Sequence, residues 1–310
     1  MAFTTPVLFI VFNRPFETLK VLNVLKEIKP DKLFISCDGP RESNITDHHN
    51  VDKVRDLIFK NISWDCQIEY LFNEENLGCK VAVSNAISWF FTKVECGIIL
   101  EDDCYPNLSF FSFCENMLLK YKNDENIWHI SGNNSVDSFR FSGDDYLFSN
   151  FPFIWGWASW ANKWKNYNVE LGNIENDKFI EQVFRKKADI NYWKKIFWQV
   201  KRGEIDTWDY QWTFICWYNS KLSIVPKFNL ITNIGFSNSA THTKNYDPHL
   251  ANLKQRNFLV KKYPSKIKND IFFDWLIQKR FFNVSILFRI YNKLYRTLYF
   301  LVSSENTYIK

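Results

Sequence analysis

Three adjacent carboxylates, Glu101, Asp102 and Asp103, come directly after an apolar run in the stretch 97–106. The run is short enough for a buried strand of a parallel sheet, and Pro106 prevents the strand from continuing normally. Ligands bind at the carboxyl ends of such strands, where these acids would lie. Adjacent acids repel one another, so they are expected either in a solvated turn or around a hard divalent cation, Mg²⁺ or Mn²⁺. The preceding strand and Pro106 favour the cation.

A second pair of acids, Asp206 and Asp209, lies in an aromatic segment further along the chain. On a helix, a separation of three residues places both on roughly one face. Trp208, Tyr210 and Trp212 surround Asp209 with apolar surface, which would raise the pKa of its carboxyl toward the range of a general base. Asp206 precedes the aromatic run and suits a helix N-cap or an acceptor contact. Asp209 is therefore the predicted base, and Asp206 is the alternative.

The elements that must position these acids follow a regular order in the first third of the chain. The predicted strands are 6–12, 32–37, 66–72 and 97–100. The predicted helices between them are 17–28, 51–61 and 80–93. Strict alternation of this kind predicts an α/β fold with a parallel sheet covered by helices on both faces. Right-handed crossovers would bring the strand-end loops to one rim, so Arg14, Asp38, Lys80 and the three acids should lie together.

The remainder of the chain is less regular. We expect a helix over 108–122, a strand over 127–132, an irregular aromatic region over 151–160, helical segments over 178–200 and 205–218, and a strand over 222–226. A polar loop at 233–243 contains His242, and the chain is basic and aromatic from 258 onward.

Composition limits the possible functions. With 310 residues, 46% of them hydrophobic, the chain can build one large domain or two smaller ones. Its thirteen Trp residues are enough for some to line a substrate surface, because Trp stacks on sugar and base faces. From Leu253 to the end there are twelve Lys and Arg against three Asp and Glu, while the rest is mildly acidic. An acidic body with a basic tail does not indicate a nucleic-acid partner.

Cysteine usage and the N-terminus bear on location. The seven cysteines are odd in number and lack a C-x-x-C spacing, which favours reduced thiols in the cytoplasm. No basic region precedes the first apolar run, so a signal peptide is not expected. No segment reaches the roughly twenty apolar residues of a membrane span.

Several motifs, taken in order, resemble those of GT-A glycosyltransferases, in detail the bacterial family-2-like and N-acetylglucosaminyltransferase I types. They are Asn13-Arg14-Pro15, Cys37-Asp38-Gly39, Asn76-x-Gly78 with Ala82 and Asn85-Ala86-Ile87, and Glu101-Asp102-Asp103, all within about the first 110 residues. Further on, Trp155-Gly156-Trp157, Trp208-Asp209 and Thr241-His242-Thr243 look like the family's glycine loop, catalytic acid and metal histidine. The Glu that usually precedes that acid is Trp208 here.

The resemblance implies a GT-A sheet and a metal-dependent, inverting glycosyltransferase. It implies that Asp103 and His242 hold the cation, that Asp102 meets the ribose or the cation, and that Glu101 meets the donor sugar. A sugar would pass from a UDP-sugar to a hydroxyl of a glycan or lipid-linked acceptor, in bacterial surface polysaccharide or lipooligosaccharide synthesis.

Each further binding residue has a plainer alternative. Asp38 would accept from the N3–H of uracil, or form an Asp-Gly turn. Arg14, beside Asn13, would clamp base or phosphate with its guanidinium, or form a surface ion pair. Lys80 would meet a phosphate at a helix start, or stay solvated. His242 could be incidental to the site.

The tryptophan motif leaves two interpretations open. Trp155 and Trp157 would form a shelf for the donor sugar or the acceptor, with Gly156 allowing a ligand close to the backbone. Alternatively, these aromatic side chains belong to the core.

We expect residues 1–252 to form the catalytic domain, with a nucleotide-sugar half at 1–132 and an acceptor half at 133–252. Residues 253–310 would form a basic helical extension. Its acid-free stretch 281–302 suits a helix on an anionic membrane surface, at the inner face of the membrane, or one packed against the catalytic domain.

Two other classes compete with the transferase. A nucleotidyltransferase making the activated sugar would share the sheet and the metal carboxylate, but it normally carries a G-x-G-x-R loop after the first strand, where Phe12-Asn13-Arg14-Pro15 stands here. A catalytically inactive binding protein could keep the same fold. The acids and Asp209 favour the glycosyltransferase over both.

Overall fold

The computed structural model describes residues 3–137, 143–172, 174–175, 177–235 and 253–283. The strands are β1 Val7–Val11, β2 Lys32–Cys37, β3 Gln67–Phe72, β4 Cys96–Glu101, β5 Cys104–Pro106, β6 Ile127–Ser131, β7 Tyr146–Ser149, β8 Trp157–Trp160, β9 Leu222–Pro226 and β10 Ile231–Asn233. The helices are α1 Pro15–Ile28, α2 Ile45–Asn61, α3 Gly78–Lys93, α4 Leu108–Lys120, α5 Ala161–Trp164, α6 Phe179–Val183, α7 Lys187–Lys201, α8 Asp209–Tyr218 and α9 Ile271–Ile277, followed by a π-helical turn, Gln278–Phe282.

Eight strands form one sheet in the order β3-β2-β1-β4-β8-β6-β9-β7. The first four are mutually parallel, β8 runs antiparallel to both β4 and β6, β6 and β9 are parallel, and β7 is an antiparallel edge. Strands β5 and β10 form a separate antiparallel pair. The predicted α/β fold, a mostly parallel sheet flanked by helices, is therefore confirmed.

Strand β1 shows how the sheet divides the core. Val7, Phe9 and Val11 point into one buried cluster with α1, α2 and α4, whereas Leu8 and Ile10 point into the other with α3, α7 and α8. Successive side chains of a strand face opposite sides of the sheet, so a strand covered on both faces is apolar at every position. This burial explains why the strand could be recognised as a continuous apolar run.

Several segments differ from the sequence-based expectation, and strands β5, β7 and β10 were not predicted. The region 151–160 contains strand β8, all of whose residues are buried, so it lacks the alternation that marks a half-exposed strand. Helix α2 begins at Ile45, because the Asn44 side chain accepts hydrogen bonds from the backbone N–H groups of Thr46 and Asp47. The expected helix over 178–200 is two helices, α6 and α7, separated at Phe184.

The described part of the C-terminal extension packs against the body. Phe258, Phe273 and Ile277 are buried in the two core clusters. The Asp189 carboxylate of α7 accepts hydrogen bonds from Lys279 and Asn283, each at 2.7 Å. These contacts agree with the packed alternative as far as residue 283, and the rest of 281–302 lies outside the described residues.

The two predicted halves of the catalytic domain supply strands to one sheet, with β1–β4 and β6 from the first half and β7–β9 from the second. Their boundaries stay predictions. Within the described ranges, no helix is both long and apolar enough to cross a bilayer.

The buried carboxylate of Asp274 anchors α9 through hydrogen bonds. Its carboxylate accepts hydrogen bonds from Ser149 Oγ at 2.6 Å, Asn150 Nδ2 at 2.7 Å and Asn269 Nδ2 at 2.8 Å. Burial raises the pKa of Asp274 to about 6, against the opposing effect of these donors. The folded protein therefore binds a proton there more tightly than the unfolded chain does, and the resulting stability is lost as pH rises through about 6.

We predict that Asp274→Asn removes this part of the pH dependence. Between pH 4 and 7, the free energy of unfolding of the wild type should fall by roughly 2–3 kcal/mol more than that of the variant. Urea denaturation at both pH values measures the difference. The exposed Asp56, replaced by Asn as a control, should leave the wild-type dependence unchanged. Equal slopes for Asp274→Asn and the wild type would contradict the assignment.

Candidate functional site

Arg14 joins the loop after β1 to the acids after β4. Its Nη1 lies 3.3 Å from Asp102 Oδ1 and 2.8 Å from Asp103 Oδ2. Asp102 also accepts a hydrogen bond from the backbone N–H of Phe12 at 3.2 Å. Because β1 and β4 are adjacent and parallel, these contacts form at the carboxyl end of both strands. The three acids thus lie at the predicted rim, with one guanidinium between two of them.

The cluster carries more negative charge than Arg14 can balance. Burial raises the pKa of Glu101 well above its usual range, and the charges of Asp103 and Asp102 raise it further. Burial also raises the pKa of Asp102 to about 7, although Arg14 opposes the shift. The pKa of Arg14 is raised because the attraction of these carboxylates outweighs its burial. The cluster consequently favours an added positive charge, either a proton or a cation.

Asp103 is contacted by the two residues that follow β10. Its carbonyl oxygen accepts a hydrogen bond from the backbone N–H of Ile234 at 2.8 Å. A Cβ on Gly235 would lie 2.5 Å from Asp103 Oδ2, so any larger residue there would displace the carboxylate. Gly235 is in turn fixed by its N–H, which donates to Asn233 Oδ1 at 2.8 Å. A side chain at position 235 would therefore compete with the Asp103 carboxylate for space.

Asp38, at the end of β2, anchors the start of α3. Its carboxylate accepts hydrogen bonds from the side chains of Asn73 and Asn76, both at 3.0 Å, and from the backbone N–H groups of Leu77 and Gly78. A negative charge at this position is stabilised by the helix dipole. These donors, with the N–H of Gly39, occupy the lone pairs that recognition of a uracil N3–H would use. The contacts observed for Asp38 are therefore structural.

One cavity of about 420 Å³ brings many of the predicted residues together. Those among its lining residues are Arg14, Asp38, Glu101, Asp102, Asp103, Trp155, Asp206 and Asp209. Its volume lies within the usual range for a small-molecule site. The predicted meeting of strand-end residues at one rim is thus what the structure shows for these positions.

Four predicted binding residues do not line the cavity, and a fifth lies outside the description. Asn13 donates to Asp47 at 2.7 Å, and Lys80 lies 3.4 Å from Glu170. Gly156, at φ +59°, packs against Ile231. Trp157 is fully buried and stacks on His129 and Trp208. His242 lies outside the described residues.

The two candidate catalytic acids lie at the N-terminal end of α8. The helix begins at Asp209 with Trp208 in the N-cap position, so Asp206 precedes the helix and does not cap it. Both acids nevertheless line the cavity. The Thr207 hydroxyl donates to Asp209, and the Tyr167 hydroxyl holds the Trp208 carbonyl at 3.1 Å. The aromatic neighbours of Asp209 thus belong mainly to the core that positions the helix.

Arg41 is a cavity residue to which the sequence analysis gave no role. Its guanidinium forms an ion pair with Asp47 and lies 5.7 Å from the centre of the Phe12 ring. The side chain remains about half exposed at 46%. Its position a few residues after the end of β2 was the available signal, because every loop on this edge of a parallel sheet reaches the same rim.

The charges of the lining are unequal. Six carboxylates face two guanidiniums, those of Arg14 and Arg41, among the described lining residues. In the same ranges, no three His, Cys, Asp or Glu side chains are arranged to hold a metal ion. Mg²⁺ is usually bound by one or two protein carboxylates together with water and substrate phosphates. These residues therefore fit a cation that arrives with a phosphate ligand.

Comparison with known proteins identifies structures of low similarity. No protein-family model and no curated protein matches the chain. Among solved structures, HddC from Yersinia pseudotuberculosis is 11% identical, with 51% of this chain and 78% of that chain covered and a TM-score of 0.34. The 4-diphosphocytidyl-2C-methyl-D-erythritol synthase from Anaerococcus prevotii DSM 20548 is also 11% identical. The match covers 59% of this chain and 85% of that chain, with a TM-score of 0.35. Likenesses this weak carry no argument about function.

The expected identity as a GT-A glycosyltransferase is wrong. No glycosyltransferase family model matches, and the two solved structures above do not carry that name. The physical reason is that several motif residues serve packing: Asp38 caps α3, Asp102 pairs with Arg14, and Gly156 and Trp157 lie in the core. The inverting glycosyl transfer and the role in polysaccharide synthesis fall with that identity, whereas the assignment of a metal ion to Asp103 and His242 stays a prediction.

Asp38→Ala tests the anchoring role. The variant should lower the free energy of unfolding by about 2–4 kcal/mol, because it leaves several buried N–H donors unpaired. It should also speed amide hydrogen exchange across residues 73–78. Asp206→Ala, which removes an exposed carboxylate from the same cavity, is the matched control and should change neither quantity appreciably. Similar losses in both variants would contradict the anchoring role.

Proposed function

We propose that the chain is a nucleotidyltransferase that joins a nucleoside phosphate to a phosphorylated sugar. The observation that carries this proposal is the charge pattern of the larger cavity, six carboxylates against two guanidiniums at the carboxyl edge of β1, β2 and β4. Substrates of such sheets bind at this edge. Acidic walls would repel a bare phosphate chain, so a phosphate substrate must enter with a divalent cation.

The lining also has an apolar part suited to a base. Val11, Ala82 and Val83 line the side of the cavity formed by β1 and α3. Arg41, whose guanidinium lies over the ring of Phe12, could bind a phosphate. A nucleotide would then lie with its base against the apolar side and its phosphates toward Asp103.

The reaction needs little acid–base help from the protein. A phosphate oxygen of the sugar phosphate attacks the α-phosphorus of a nucleoside triphosphate, forming one P–O bond. The bond from that phosphorus to the β-phosphate oxygen breaks, and pyrophosphate leaves. The attacking phosphate is already ionised at neutral pH, so no general base is required. Catalysis of this kind rests on positioning and charge compensation.

Named residues have distinct roles in this scheme. Asp103 would hold Mg²⁺ or Mn²⁺, and such a cation would offset the charge of the departing pyrophosphate. Arg14 positions Asp103. Asp206 and Asp209 accept hydrogen bonds from sugar hydroxyls. A structure of low similarity is named as a synthase of a diphosphocytidyl compound, a product of the same class, but its TM-score of 0.35 adds no weight.

Pyrophosphate release tests the proposal directly. The purified protein is incubated with each nucleoside triphosphate, a panel of sugar 1-phosphates and Mg²⁺, and pyrophosphate and nucleotide-sugar are measured. We expect both products from one pair of substrates and neither in excess EDTA. Nucleotide binding without pyrophosphate release would instead identify a binding protein. Release of free sugar from a nucleotide-sugar, without consumption of pyrophosphate, would also overturn the proposal.

Gly235→Ala tests the placement of Asp103. Because the added Cβ would push against the carboxylate, the variant should raise the Mg²⁺ concentration for half-maximal activity at least several-fold. Asp103→Asn should lower activity by roughly 10²-fold or more. Gly143→Ala is the matched control, since a Cβ there meets no atom within 4 Å of the described chain. An unchanged Mg²⁺ dependence in Gly235→Ala would contradict the role of Asp103.

A further inference from the structure

A second cavity, of about 170 Å³, adjoins the larger one. The two share Ile154, Trp155 and Asp209 as a common wall. The smaller cavity lies below the usual volume of sites for drug-sized ligands, so it has room for a single ring. Its contents would contact the same carboxylate, Asp209, as a ligand of the larger cavity.

Asn133 gives this cavity an unused hydrogen-bond acceptor. The side chain is buried at 3% exposure and lines the cavity. Its Oδ1 is enclosed but accepts no hydrogen bond from the described residues, and its Nδ2 makes only a long contact of 3.4 Å to Ser135 Oγ. A buried acceptor left unpaired costs about 1–3 kcal/mol. A ligand hydroxyl that donates to Oδ1 would remove this cost.

The adjacent residue shows that the loop itself is well packed. Asn134 donates to the Pro226 carbonyl at 2.9 Å and accepts from the Val136 N–H at 3.0 Å. Its backbone N–H donates to Asn229 at 3.1 Å. Asn133 is therefore an isolated exception within an ordered segment, which points to a ligand rather than to a loosely placed loop.

The other walls disfavour an anionic ligand. They are largely aromatic, and Asp209 is the sole ionisable carboxylate or cation among the described lining residues. Phe282 is part of the aromatic wall, and its ring centre lies 5.4 Å from that of Phe151 and 4.8 Å from that of Trp193. Aromatic walls with a few hydrogen-bonding groups suit a ring that has an apolar face and hydroxyl edges. Such a ring is a neutral monosaccharide unit.

We propose that the smaller cavity binds the sugar ring of the second substrate. Asn133 Oδ1 accepts from one ring hydroxyl, and Asp209 accepts from another at the junction of the two cavities. The phosphate of that substrate points into the larger cavity, since the described lining of the smaller one has no cation. Naming the ring as a substrate rests on the proposed function, whereas the binding of a neutral sugar does not.

The C-terminal extension would also take part in binding the sugar. Phe281 and Phe282 line the cavity from the π-helical turn after α9. That turn is held to α7 by the hydrogen bonds that Lys279 and Asn283 donate to Asp189. The described part of the extension thus supplies part of the wall of the smaller cavity.

Binding of neutral sugars to the full-length protein tests the proposal without nucleotide or metal. A panel of methyl hexopyranosides is titrated by saturation-transfer difference NMR. We expect at least one of these sugars to bind. Asn133→Ala should raise its Kd by about 10-fold, the effect of one lost hydrogen bond. Asn133→Asp keeps an acceptor and should keep binding. If Asn133→Ala does not fold, Phe282→Ala, which removes part of the aromatic wall, should weaken binding instead.

Arg41→Gln is the matched control from the larger cavity. It should weaken nucleotide binding and leave sugar binding unchanged. No binding by any sugar, or equal Kd values for the wild type, Asn133→Ala and Phe282→Ala, would overturn the inference. Sugar binding without pyrophosphate release would contradict the proposed function alone, so the two failures are distinguishable.

Discussion

The contacts of Arg14 with Asp102 and Asp103 are the interaction on which the site depends. They join the loops after two adjacent parallel strands, β1 and β4, at the edge where such sheets bind ligands. Removing one partner of a buried ion pair leaves the other charge uncompensated, which is strongly destabilising. Yet Arg14 cannot neutralise three carboxylates, and the raised pKa of Glu101 reflects that excess. The cluster is held together by one cation and still favours another.

Asp38 adds a second constraint, because it takes the place that a phosphate would occupy at the start of α3. A helix N-terminus is a ready anion site. Here the N–H groups of Leu77 and Gly78 already donate to a carboxylate of the protein. In the proposed function, the substrate phosphates would therefore be bound by other charges, namely Arg41 and a cation at Asp103. This is the physical link between the anchored loop and the expected dependence on metal.

The sequence predicted the half of the fold whose patterns are local, and much less of the site. Strands β1 to β4 are apolar runs between helical patterns, so their order followed from periodicity. Strand β8 was missed because it has only four residues, with Ala158 and Ser159 between its two Trp residues instead of the continuous apolar run that marks β1. Residue types placed Asp38 and Asp102 at the right rim, but their partners, the N–H groups of α3 and the guanidinium of Arg14, lie far away in sequence. Only the fold decides whether a carboxylate faces a ligand or its own chain.

Asp209 shows why both cavities have to be considered as one site. It begins α8, whose position is set by the packing of Trp208 and Trp212 in the core. The helix dipole favours a negative charge there, so the carboxylate suits an acceptor of hydrogen bonds from hydroxyls. One side of Asp209 faces the cavity rich in acids, and the other faces the aromatic cavity lined by Phe282. A substrate with a charged end and a neutral ring matches that division, with Asp209 at its midpoint.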